Sequence, residues 1–280
     1  MVISCASGKG GTGKTTVATT LALSLGHNVQ LLDCDVEEPN AHVFIKPDIT
    51  DSQEVTIAVP KIDNAICNYC GECARICAYH ALAVVKNAVV TFSNLCHGCG
   101  GCSLLCPEKA ISETGKIIGI VERGKAGDID FVHGKLNIGE VLSPPVIRAV
   151  KKHIAEQKVT IIDAPPGTAC PVIAAIKNSD FCILVTEPTP FGLHDLKLAV
   201  EVVQQLQIPC GVVINRAGIG DGHVAAYCSD AEIPVLLRIP FDRDIAVAYS
   251  RGIGLVDTKE EYRAMFKQMY EWIKGRHYAH

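Results

Sequence analysis

Two sets of residues have types and spacings that can do chemistry. The first is Gly8-Lys9-Gly10-Gly11-Thr12-Gly13-Lys14-Thr15-Thr16, close to the start of the chain. Glycines let backbone N–H groups turn inward around an anionic phosphate, and a helix that opens at the end of the loop adds partial positive charge. Lys14 would then reach the β- and γ-phosphates of a nucleotide, and the Thr15 hydroxyl would ligate Mg²⁺. An apolar run, Val2-Ile3-Ser4-Cys5-Ala6, precedes the loop, and Val17, Leu21 and Leu25 follow it at helical spacing. That strand–loop–helix setting separates a phosphate loop from a chance match to G-x-x-x-x-G-K-[ST].

The second set is a repeat of eight cysteines. Cys67-x-x-Cys70-x-x-Cys73-x-x-x-Cys77 recurs as Cys96-x-x-Cys99-x-x-Cys102-x-x-x-Cys106, and Gly71, Ala81 and Leu82 match Gly100, Ala110 and Ile111. Each C-x₂-C-x₂-C turn can offer three thiolates to one cubane cluster, so the fourth ligand comes from the other copy. Cluster one takes Cys67, Cys70, Cys73 and Cys106; cluster two takes Cys96, Cys99, Cys102 and Cys77. Zinc competes for C-x-x-C pairs, but the doubled triple-plus-one spacing argues against it. The other six cysteines (Cys5, Cys34, Cys170, Cys182, Cys210 and Cys228) are scattered and read as core residues.

Carboxylates complete the inventory. Val29-Gln30-Leu31-Leu32 reads as a buried parallel strand that delivers Asp33-Cys34-Asp35 at its carboxyl end, where open α/β sheets bind ligands. Two carboxylates there can hold the water shell of Mg²⁺ and orient an attacking water, or they can cap the next helix. Val159-Thr160-Ile161-Ile162 ends in Asp163, placed to hold Mg²⁺ through water, and Gly167 beyond it can offer an N–H to the γ-phosphate. Strands at Phe181–Thr186, Cys210–Ile214 and Val235–Ile239 lead to a helix near Asp195–Leu206, to Asn215-Arg216 and to Pro240-Phe241-Asp242. Asn215-Arg216-Ala217-Gly218 lacks the carboxylate that reads guanine, which favours ATP.

Bulk properties narrow the classes. Net charge is −4 over 280 residues without a Lys/Arg block, so nucleic acid is not indicated as a partner. No signal-like n- and h-region and no apolar run of membrane-spanning length is present, which reads as cytosolic (cytoplasmic). Fourteen cysteines there point to metal before disulfides. Residues 116–142 read as strands with Gly-rich turns, and Ser143-Pro144-Pro145 as a helix start with Ser143 as N-cap. Near the end, Lys259–Lys274 carries Tyr262, Met265, Phe266, Met269, Tyr270 and Ile273 at helical spacing. Its polar face mixes Glu with Lys, which favours packing on the sheet over a membrane surface.

Lys9, a second lysine at the start of the phosphate loop, makes the motif similar to the deviant Walker A of the MinD/Mrp/nitrogenase-iron-protein ATPases, and the later motifs extend that resemblance to Pro240-Phe241-Asp242. The resemblance implies that Lys9 crosses a dimer interface and acts with Lys14 and Asp35 in catalysis. Asp35 would place or activate the water, with Asp33 nearer the metal. Asn215, with Arg216, would recognise adenine, and the Pro240–Asp242 loop would pack against the base. Residues 61–114 resemble a bacterial-type 2[4Fe–4S] ferredoxin, with Ala78 where proline is usual and Pro107 kept in the second copy. The implied fold is a doubly wound, mostly parallel α/β sheet formed by residues 1–60 and 115–280, with an α+β ferredoxin-like domain at 61–114 inserted after the second strand. The implied cofactors are ATP, Mg²⁺ and two [4Fe–4S] clusters in a homodimer, or a heterodimer with a paralogue. Electron transfer to a redox partner is the first functional expectation, and metallocofactor assembly or delivery to a client protein, as in the Mrp relatives, is the alternative. Membrane positioning, as in MinD, rests only on the terminal helix.

Overall fold

The computed structural model describes residues 1–277. β1 (Val2–Ala6) leads through the phosphate loop into α1 (Lys14–Leu25). Gly26, at φ 75°, ends that helix and donates its N–H to the Ala22 carbonyl. β2 (Val29–Asp33) and the short α2 (Ala41–Ile45) follow, then β3, a strand from Asp48 to Ile62. The cysteine segment supplies α3 (Glu72–Ile76), β4 (Leu82–Val85), β5 (Ala88–Thr91) and α4 (Gly101–Leu104). The chain returns through β6 (Ile111–Ala126) and β7 (Ile129–Leu136) to α5 (Pro144–Lys151), β8 (Val159–Asp163) and α6 (Cys170–Ile176). β9 (Phe181–Thr186), α7 (Pro190–Gln205), β10 (Cys210–Ala217), α8 (His223–Asp230) and β11 (Val235–Pro240) come next. α9 (Arg243–Ser250), α10 (Leu255–Thr258) and α11 (Glu261–His277) close the chain.

Nine strands form one sheet in the order β11-β10-β9-β1-β8-β2-β7-β6-β3. From β11 to β7 all neighbours are parallel, and β6 alone runs against both of its neighbours. Successive side chains on a strand face opposite ways, so Ile161 joins one core and Ile162 the other. α5, α6, α7 and α8 cover one face; α1, α2, α10 and α11 cover the other. The mostly parallel, doubly wound α/β architecture expected from the sequence is what forms.

Three local expectations change. The Ser143 hydroxyl is buried without a hydrogen-bond partner among the described residues and caps nothing; its φ and ψ of −73° and −31° are already helical, so the side chain cannot reach back over the first turn. α7 starts five residues before Asp195, because Thr189 accepts the Gly192 N–H and Pro190 suits the first helical position. The cysteine segment emerges after the third strand rather than the second. β3 and β6 pair, through two register shifts, as far as Ile62 and Ile111, across both expected boundaries, so residues 63–110 are the tip of a long hairpin. Since β6 opposes β7, that tip projects beyond the carboxyl edge of the parallel strands, the edge that carries the phosphate loop.

α11 packs as a globular helix. Tyr262, Phe266, Met269 and Ile273 are buried, and Arg263 donates to the Leu23 carbonyl of α1 at 2.6 Å. Among the described residues no helix is long and apolar enough to cross a membrane.

Candidate functional site

The phosphate loop is held from both sides. A Cβ on Gly8 would lie 2.2 Å from the Asp195 carbonyl oxygen in α7, so the loop can pass that helix only as glycine. Gly13, at φ 96°, adopts the left-handed backbone that favours glycine, and a Cβ there would lie 2.3 Å from the Asn215 amide nitrogen. Asn215 donates that amide to the Thr12 carbonyl at 2.8 Å, and its oxygen accepts the Arg216 N–H at 2.9 Å. Its side chain thus braces the loop while lining the cavity, and the second N–H of its amide is left for the base expected there.

Lys14 and Thr15 are buried at the start of α1. The Thr15 hydroxyl donates to Asp163 Oδ2 at 2.6 Å, while Asp163 Oδ1 is buried with no partner among the described residues. An unspent carboxylate oxygen beside a threonine hydroxyl is a donor set that fits Mg²⁺ and its waters. Burial lifts the Asp163 carboxyl to about 7 although Lys14 pulls it down. Burial likewise lifts Asp35 to about 6 against the pull of Lys14. Asp33 behaves differently. Both its oxygens accept backbone N–H groups, from Asp35 at 3.1 Å and from Asn40 and Ala41 at 3.0 Å. Of the two readings left open for this pair, capping describes Asp33: it shapes the 35–40 turn and the start of α2, with burial and then Asp163 raising its carboxyl.

Lys14, Thr15, Thr16, Asp35, Asn215, Arg216, Pro240 and Asp242 line one cavity of about 530 Å³, of a size for a small-molecule ligand, together with Gly10, Gly11 and Gly13. Two of these side chains are occupied. Asp242 accepts the Asp244 N–H as the N-cap of α9 and pairs with Lys259. Arg216 is held by Glu187 at 2.6 Å. The same Glu187 lies 3.7 Å from Lys9, so the lysine expected to cross to a second subunit rests on its own chain. Gly167 donates its N–H to the Ser7 carbonyl at 3.0 Å instead of leaving it free for a phosphate.

The eight cysteines are brought together in two groups across the repeat. Cys67, Cys70, Cys73 and Cys106 line one small cavity, and Cys77, Cys96, Cys99 and Cys102 line another. The two copies trade backbone bonds: Asp63 N–H donates to the Ala110 carbonyl and Phe92 N–H to the Ala81 carbonyl, both at 2.8 Å. Sulfur contacts repeat as well. Tyr69 and Gly98 donate to Cys67 and Cys96 at 3.4 and 3.5 Å, and Ala81 and Ala110 donate to Cys77 and Cys106 at 3.3 Å. N–H groups aimed at sulfur stabilise thiolates, as cluster ligation requires. Among the described residues no three His, Cys, Asp or Glu side chains converge as on a single metal ion; a cubane is wider than one ion and spreads its ligands further apart.

The model of the CobQ/CobB/MinD/ParA nucleotide-binding domain matches residues 3–256. The chain belongs to this family. Two uncharacterized proteins of Methanocaldococcus jannaschii are each 32% identical over 98% of this chain and over 97% and 96% of their own lengths. A protein of the same organism named iron-sulfur cluster carrier protein is 25% identical, covering 96% of this chain and 84% of its own. Among solved structures, the cell-division ATPase MinD of Pyrococcus furiosus aligns over 98% of both chains with a TM-score of 0.61 at 21% identity, a likeness of fold.

On this MinD/ParA-type domain, Tyr249 is one of the cavity residues that sequence reasoning missed, with Asn40, Pro166 and Ile245 among the others. It lines the cavity from α9 while its ring packs on Phe44 of α2 at 4.7 Å between centroids. The turn after α9 also meets α2, since a Cβ on Gly252 would lie 2.9 Å from Val43. No motif marks Tyr249; its only signal is an aromatic residue one helical length after Pro240-Phe241-Asp242.

Proposed function

We propose that the chain is a Mg²⁺-dependent ATPase that holds two [4Fe–4S] clusters on residues 63–110 and uses nucleotide turnover to control their delivery to client proteins. The observation that carries the proposal is the mounting of an eight-cysteine lobe on the same sheet edge as the nucleotide cavity. Delivery is preferred to electron transfer, the first expectation from sequence, because a carrier-named relative matches 96% of the chain.

ATP would lie with its phosphates on the N–H groups of residues 8–16 and its γ-phosphate near Lys14. Mg²⁺, when bound to Thr15 and through water to Asp163, spreads the charge of the β- and γ-phosphates. Asp35, with a carboxyl near the operating pH, would take the proton of a water whose oxygen attacks the γ-phosphorus; the bond to the β–γ bridging oxygen breaks and ADP leaves. Two copies, or this chain and a paralogue, would close over the nucleotides in the cytosol. Lys9 would leave Glu187 for the partner's nucleotide, and Gly167 would leave Ser7 for the γ-phosphate. Neither nucleic acid nor a membrane is needed.

A second reading has its own support. Both cysteine groups receive matched N–H···S contacts, a provision suited to permanent clusters and to ATP-gated transfer of electrons to a redox partner. The experiment is anaerobic reconstitution, then MgATP with an apo-acceptor, following iron transfer and the EPR redox titration together. Iron moved to the acceptor on ATP addition supports delivery. Retained clusters with a nucleotide-shifted potential support electron transfer, and a protein that binds no iron defeats both.

A further inference from the structure

A set of contacts that ends in a largely buried ion pair joins the turn after β2 to one cysteine group. The Val36 carbonyl, next to Asp35, accepts the Leu136 N–H at 2.8 Å, and a Cβ on Gly134 would lie 2.7 Å from the Val36 side chain. β7 is thus locked to the 35–40 turn where it enters the 137–143 loop. That loop carries Glu140, whose carboxylate meets Lys116 Nζ at 2.7 Å; the two side chains are only 14% and 18% exposed. Lys116 also donates to Asn94 Oδ1 at 2.9 Å and to the Ser93 carbonyl at 3.4 Å, two and three residues before Cys96. On the far side this motif is pressed on the sheet: a Cβ on Gly98 would lie 3.1 Å from the Ala58 carbonyl oxygen.

The repeat makes the comparison internal. Asn64 and Ala65 occupy the matching positions of the first copy and are exposed, with Ala65 N–H bonded only within its own turn, to Asp63. A largely buried ion pair is geometrically exacting, and removing one partner leaves the other charge poorly solvated. It can therefore pass a displacement from one loop to the next where a solvated contact would slip. We propose that Lys116 is a positioning residue that ties the Cys96 group to the 35–40 turn, so that nucleotide-driven movement of Val36 reaches this group and leaves the Cys67 group unmoved. The idea rests on the reading above that Asp35 acts at the γ-phosphate, through which ATP would move the 35–40 turn, but not on clusters being present.

The test is hydrogen exchange of the full chain with and without MgATP, comparing peptides that cover 35–40, 93–99 and 64–70. The expected result in the wild type is an ATP-dependent change at 35–40 and 93–99 and none at 64–70. Lys116→Met should remove the response at 93–99 while keeping it at 35–40, with ATP binding intact; Lys116→Arg, which keeps the charge, should restore it. Glu140→Gln, which opens the pair from the other side, should act like Lys116→Met. Should Lys116→Met misfold, the Lys116→Arg and Glu140→Gln proteins still decide. A response at 93–99 that survives loss of the pair, or one of equal size at 64–70, overturns the proposal. A wild type that responds at 35–40 alone also overturns it and leaves the ATPase reading standing. One that responds nowhere defeats both, and absence of iron defeats only the cluster reading.

Discussion

Binding of Mg·ADP should expel a proton, and Asp163 should be its main source. The carboxyl is fully buried, and burial lifts it from 3.8 to about 7 even with Lys14 nearby. Without ligand the carboxyl therefore holds its proton in more of the molecules at pH 6 than at pH 8. A carboxylate must be ionised to hold Mg²⁺ or its waters, so metal binding displaces whatever proton is there. Calorimetric titration with Mg·ADP in buffers of different ionisation enthalpy should show a larger proton release at pH 6 than at pH 8. Asp163→Asn should remove the larger part of this dependence, and Asp35→Asn, whose carboxyl sits at about 6, the smaller part. The same shift has a stability consequence. The folded value lies above the unfolded one, so the group favours folding at low pH, and that contribution declines as pH rises from 4 to 7. Three units correspond to roughly 4 kcal/mol as an upper bound, which denaturation of wild type and Asp163→Asn across that range would expose. Heats at pH 6 that do not depend on the buffer, or a proton release that persists undiminished in Asp163→Asn, would refute the assignment.

Other perturbations separate bracing, walling and ligation. Gly8→Ala drives a Cβ to 2.2 Å from a backbone oxygen of α7; overpacking of this kind costs about 1–3 kcal/mol, so ATP affinity should fall by about tenfold or more in equilibrium binding. Tyr249→Ala should weaken ATP and ADP alike by about threefold to tenfold, the worth of an aromatic contact, while Tyr249→Phe keeps the ring on Phe44 and most of the affinity. Cys77→Ser should disturb the group of Cys96, Cys99 and Cys102 and leave that of Cys67, with Cys106→Ser the converse, read by EPR and iron content. A Cys77→Ser protein that loses only the Cys67 group's signal would reject crossed ligation.

The motifs visible in the sequence are those whose chemistry is written in fixed local spacing. The phosphate loop, Asp163 at a strand end and the cysteine repeat depend on neighbours in the chain, and the structure places each on its expected element. The long β3 went unread, because alternation around Val55, Ile57 and Val59 is short and the rest of the strand is polar and exposed. Its partner β6 enters the cysteine segment, so a change in composition placed the boundaries within paired strands.

Polar side chains at the site were harder to place for a different reason: their partners lie far off in sequence. Asn215 donates to Thr12, 203 residues away, and Asp242 pairs with Lys259, while Lys9 and Arg216 both turn to Glu187. A buried or half-buried polar group takes whichever partner the fold brings within reach, since leaving it unpaired costs about 1–3 kcal/mol. Lys9 and Gly167 thus have intramolecular partners that the proposed closure over nucleotide would replace, whereas Asp163 Oδ1 has none to lose among the described residues. The difference sets an order of events. On the function proposed, metal and phosphate would seat against Asp163 and Lys14 first, and the exchange of Glu187 and Ser7 for new partners would draw on the γ-phosphate or a second subunit. ADP lacks the γ-phosphate, so it can occupy the site without supplying that exchange, which is the physical requirement for a switch that tells the two nucleotides apart.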